Sequence, residues 1–106
     1  MSAPERLAHN EAVFREINER IEAGTWVASG DQRMAFTCEC AALGCNVLVE
    51  LTVAEYEAVR AHPRRFLLAP GHELASIEVV VHTGDGYIVV EKQGEAATVA
   101  EASDPR

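Results

Sequence analysis

The sequence predicts an α+β domain. Three observations carry that expectation. A stretch near the N-terminus has apolar residues at helical spacing, a tight cysteine cluster sits between two short strand-like runs, and two valine-rich runs flank Gly84-Asp85-Gly86 near the C-terminus. At 106 residues the chain is one domain with a modest core, and a structural metal would add usefully to it. It divides into an amphipathic helix over 1–24, a cysteine-bearing α+β region over 25–93, read as zinc-binding from its ligand residues, and a mobile tail over 94–106.

The helix is expected over residues 2–23. Ser2 and Glu5 form a capping-box pattern, and Gly24 is a natural stop. Leu7, Phe14, Ile17 and Ile21 share one face, and the pairs Glu11/Arg15 and Glu16/Arg20 belong on the wet side. Leu7, Phe14 and Ile21 with Asn10 and Ile17 between them read either as a short coiled-coil seam or as a face that packs on the helix's own domain. Residues 25–33 are irregular, with a turn at Gly30-Asp31.

Short strands are expected over 34–37 and 46–51, leading into and out of the cysteines in the outline of a zinc knuckle. A second helix follows over 53–61. Thr52 caps it, Glu55 closes the capping box, and His62-Pro63 ends it. Residues 64–68 are extended, and Pro70-Gly71 turns the chain to present His72. Strands over 77–83 and 87–93 complete a hairpin, at least one face of which packs on the core. Residues 94–106 are alanine-rich and polar without a useful period, hence the mobile tail.

All three cysteines fall in Cys38-Glu39-Cys40-Ala41-Ala42-Leu43-Gly44-Cys45. In Cys-x-Cys on a bent backbone both sulfurs can point at one ion, and Gly44 lets the loop turn back. With His72 the thiolates make four soft or borderline ligands, the number a closed tetrahedral zinc site needs. Glu39 and Glu73 are the oxygen alternatives, and His9, His62 and His82 the other imidazoles; three thiolates favour His72. Iron also accepts thiolates. A site closed by four protein ligands is structural. A redox-active or metal-sensing thiol cluster is the alternative.

The net charge of −8 argues against nucleic-acid and anionic-membrane binding. No apolar run approaches the roughly 20 residues that span a bilayer, and the first residues lack the apolar core of a signal peptide. These features place the chain in the cytoplasm, where thiols stay reduced. The cluster therefore reads as metal-binding or redox-active rather than as a disulfide framework, and the odd cysteine count agrees. No Gly-x-Ser-x-Gly, His-Glu-x-x-His, Walker or Gly-x-Gly-x-x-Gly motif occurs, so the chain does not read as an enzyme. Arg60, Arg64 and Arg65, with His62 among them, form the one basic cluster. It is either paired locally with glutamates or a ridge for a protein partner; the N-terminal helix is the other candidate surface. Monomer and homodimer both fit.

The sequence also resembles a family of short uncharacterised proteins of high-GC Gram-positive bacteria. The likeness runs through Arg6-Leu7-Ala8-His9-Asn10-Glu11, Asn18-Glu19-Arg20-Ile21, the cysteine cluster, Glu50-Leu51-Thr52, Glu55-Tyr56-Glu57, Val59-Arg60, Pro63 to Phe66, Pro70-Gly71-His72-Glu73 and Tyr87 to Lys92. It implies a shared zinc-ligand set that maps onto Cys38, Cys40, Cys45 and His72. It carries over no activity.

Overall fold

The computed structural model describes residues 3–24, 32–40 and 45–104, with the side chains of the first helix described from 11 to 22. The Ser2–Glu5 cap, the side chains of Leu7, His9 and Asn10, the Gly30-Asp31 turn and Gly44 lie outside the described residues. The elements run α1 (Ala3–Gly24), β1 (Arg33–Thr37), β2 (Leu48–Thr52), α2 (Val53–Arg60), β3 (Arg65–Leu68), β4 (Glu78–Thr83), β5 (Ile88–Lys92) and α3 (Glu95–Ala102). This is the α+β mix expected, with both sheets antiparallel.

β1 and β2 pair with Ala35 opposite Glu50 and Phe36 opposite Val49. The ladder continues one step beyond the strands, where the Cys38 N–H donates to the Val47 carbonyl at 2.9 Å. Alternation along β2 sends Val49 and Leu51 into the core and leaves Leu48 and Glu50 outside. Phe36 stacks on Tyr56 of α2 with ring centroids 4.5 Å apart. α2 begins where the sequence places it. The Thr52 side chain accepts from the Glu55 N–H, and the Glu55 carboxylate accepts from the Thr52 N–H.

The second sheet has the order β3-β5-β4. β5 is central and buried, while β4 is an edge whose Val79, Val80 and Val81 are all exposed. A bulge between Val80 and His82 shifts the register against β5. Gly84 lies so close to Tyr87 that a Cβ there would meet the phenol ring at 2.2 Å. The hairpin turn therefore needs glycine to let Tyr87 fold back beneath it.

Two expectations are corrected. Residues 95–102 are not a mobile tail but a helix, α3, with Ala97 and Ala100 buried. Its face is made of alanines, too small to give a strong periodic signal but well suited to close approach. Arginines hold its C-terminal end. Arg15 donates to the Ala100 carbonyl at 2.8 Å, and Arg60 pairs with Asp104. Cations at the last turn meet the free carbonyls and the negative end of the helix dipole.

The second correction concerns α1. The helix packs on its own domain, but Glu11 and Arg15 are not on its wet side: they are buried, as is Asn18. Ile21 is half-buried against the core, while Val13 and Ile17 face solvent. The helix is thus rotated off its apolar stripe, because the surface that receives it is polar. Arg15 donates to the Pro63 and Ala100 carbonyls, each at 2.8 Å, and its guanidinium lies 4.3 Å from the Phe66 ring centroid. Glu16 and Arg20 do pair on the outside, at 3.0 Å.

Glu11 reaches the buried Lys92 ammonium, which also holds Glu78. Two carboxylates around one ammonium leave a net negative charge in the interior. Burial raises the Glu11 pKa from an ordinary 4.5 to about 7, although Lys92 pulls the other way. A raised carboxylate contributes stability that is full below its unfolded pKa and is lost as pH rises through the folded one. The stability of the wild-type chain relative to Glu11→Gln should therefore fall between about pH 4.5 and pH 7 and level off above. Urea unfolding of both proteins across that window checks this. A difference that does not vary with pH would contradict it.

Candidate metal centre

Two separate segments build the centre. Cys38 and Cys40 follow β1 and are buried; Cys45 lies at the far end of the loop and is half-buried. His72 comes from the loop after β3. There Gly71 takes φ of +85°, a conformation that side-chain-bearing residues rarely adopt. The His72 N–H closes the turn onto the Ala69 carbonyl at 3.2 Å.

The potential ligand atoms of Cys38, Cys40, Cys45 and His72 all lie within 4.8 Å of one another. Nδ1 of His72 is 3.6 Å from Cys38 Sγ and 3.7 Å from Cys45 Sγ. Zinc bonds of about 2.3 Å to sulfur and about 2.0–2.1 Å to nitrogen, at tetrahedral angles, separate a sulfur and a nitrogen by about 3.6 Å. The donor set and its spacing therefore fit a four-coordinate ion.

At one ligand a hydrogen bond and burial act on the thiol in opposite directions. The Ala69 N–H donates to Cys38 Sγ at 3.2 Å. Without a metal, burial outweighs that bond and pushes the Cys38 thiol up to about 12. Loading the centre with a dication must therefore expel protons, and affinity falls as the solution is acidified.

Glu39 sits between two candidate ligands and is fully buried, yet its carboxylate is turned to other partners. It accepts from the Leu67 N–H at 2.9 Å, the Tyr56 hydroxyl at 2.9 Å and the Asn18 amide at 2.8 Å. Its own N–H donates to the Leu67 carbonyl at 2.7 Å. Burial raises its pKa against those three donors. Asn18 also meets the Thr37 backbone as a neighbouring strand would, donating to its carbonyl and accepting from its N–H, both at 2.7 Å. Glu39 thus ties the cysteine segment to α1, α2 and β3, and is placed neither as an oxygen ligand nor as a base. Nothing in the sequence marks this hub beyond a charged residue flanked by cysteines.

The other sequence candidates lie elsewhere. Glu73, His62 and His82 are not in the cluster. Within the basic ridge, the Arg60 side chain is wholly buried between Glu19 and Asp104. Arg64 pairs with Glu101, and Arg65 with Glu91 at 3.3 Å. Among the described residues no helix is long and apolar enough to cross a membrane. No protein-family model, curated protein or solved structure matches the chain.

Proposed function

We propose that the chain is a small cytoplasmic zinc-binding protein in which Cys38, Cys40, Cys45 and His72 hold a structural zinc. The folded domain would serve as an interaction or regulatory module. The observation that carries the reading is the approach of four ligand atoms from two segments to within 4.8 Å. Four protein ligands fill a tetrahedral ion and leave no position for substrate, so the metal's work is to join β1 to the loop after β3. A protein partner would meet the outward face of α1, where Val13 and Ile17 are exposed, or the surface around Arg64 and Arg65.

Native mass spectrometry of the wild type and His72→Ala tests the centre. The expected result is one zinc per wild-type chain and loss or weakening in the variant. Absence of metal from the wild type, or full retention by His72→Ala, would overturn the ligand set. The same spectra separate monomer from homodimer.

A thiol-based sensor is the second reading, favoured by the half-exposure of Cys45 beside two shielded cysteines. In it, peroxide oxidises two thiols to a disulfide, is itself reduced to two waters, and zinc departs. Retention of zinc under mild peroxide supports the structural reading; release at low oxidant supports the sensor.

A further inference from the structure

A groove of about 450 Å³ lies between α2 and the β4–β5 hairpin and shares no residue with the cysteine–histidine centre. Its size falls within the range of small-ligand sites. The walls are apolar: Ala58 and Val59 from α2, Val81 from β4 and Val89 from β5.

A carboxylate marks one end and a guanidinium, shared with Glu91, marks the other. At one end stands Glu55, whose carboxylate accepts from the Tyr87 hydroxyl at 3.0 Å, with His82 Nε2 3.5 Å from the same hydroxyl. Hydrogen bonds from the Thr52 backbone and from Tyr87 hold Glu55 below the usual carboxylate range, so it is ionised at neutral pH. At the other end, past the exit of α2 and where Arg65 pairs with Glu91, stand Arg65 and His62. Arg65 meets Glu91 only through Nε, at 3.3 Å, and its two terminal nitrogens donate to no described residue.

The spacing of the ends follows from the elements. Glu55 and His62 are seven residues apart along α2 and its exit, about 10 Å at 1.5 Å per residue. Tyr87 and Glu91 are four apart along β5, about 13 Å. An extended tripeptide spans about 10 Å.

We propose that this groove binds a short zwitterion with an apolar body, the chemistry of a free tripeptide. Its ammonium lies against Glu55, its carboxylate against Arg65 and His62, and its side chains over Ala58, Val59, Val81 and Val89. Charge complementarity at both ends selects this occupant over a plain apolar segment. In a chain of net charge −8, a groove holding a guanidinium and two imidazoles also departs from the average surface.

The test is an amide chemical-shift titration of the full chain, as purified, with alanyl-valyl-alanine, its N-acetyl form and its C-terminal amide. The free peptide should shift amides of α2, β4 and β5, and each blocked form should bind about fivefold more weakly, the worth of one partly exposed ion pair. In Arg65→Gln the free acid and the amide should bind alike. Arg65 is one-third exposed, and unchanged shift dispersion would verify that the variant is folded. No groove shift at millimolar peptide, or equal binding of all three forms to the wild type, would overturn the proposal.

Discussion

Cys38→Ser should hold no zinc at neutral pH and should lose its cooperative unfolding transition or most of its stability. Cys38 is shut away from solvent, receives the Ala69 N–H and stands 3.6 Å from His72. A serine hydroxyl there offers a harder atom on a shorter bond and stays protonated. Structural zinc contributes about 10–16 kcal/mol of apparent binding energy in small zinc-dependent peptides, as much as or more than the roughly 5–15 kcal/mol by which a domain is stable. Even partial coupling places the loss above about 3 kcal/mol. Thermal and urea unfolding of the wild type, the variant and chelator-treated wild type provides the check. The last two should coincide. A variant that retains both zinc and the wild-type midpoint would remove Cys38 from the centre.

Lys92→Met should destabilise the fold by about 3–5 kcal/mol at pH 7, the cost of breaking a buried ion pair from one side. Methionine fills much of the same volume, so packing is nearly conserved. What remains is two buried carboxylates, Glu11 and Glu78, facing each other without the ammonium. Most of the loss should be recovered in the triple variant Lys92→Met, Glu11→Gln, Glu78→Gln, because it removes the charges together. Urea unfolding at constant zinc, read as a mutant cycle, separates this from a packing defect. If the triple variant is no more stable than the single one, electrostatics is not the cause.

The local order of the chain was legible wherever the backbone itself demands particular residues. Thr52 and Glu55 cap α2 as the sequence indicated, and Gly84-Asp85-Gly86 makes the expected hairpin. The clustering of Cys38, Cys40, Cys45 and His72 was legible because few residue types can hold a thiophilic ion, and Gly71 marks the turn that carries His72. The docking face of α1 was not. Hydrophobic period places Phe14, Ile17 and Ile21 inward, but what receives the helix is a set of carbonyls, one ammonium and the Glu39 carboxylate, contributed by segments up to 85 residues away. No local pattern announces so distant a partner. α3 was hidden for a related reason, since its alanine face gains meaning only beside the arginines that hold it. The comparison of Arg60 with Arg64 makes the same point. They lie one helical turn apart in sequence, yet one is interior and the other on the surface.

The irregularity in β4 bears on how the protein behaves at high concentration. An exposed strand edge carrying Val79, Val80 and Val81, with no lysine or proline among them, is the kind of template on which chains stack into fibrils. The bulge between Val80 and His82 adds local twist and breaks the even row of amides and carbonyls that a second chain would need. Mutual repulsion between molecules carrying −8 charges adds a barrier that salt weakens. One surplus residue in the strand thus interrupts the edge on which a second chain could stack. Deleting Val81 would straighten the edge and turn a tolerated valine run into a nucleus for aggregation, first in concentrated salt.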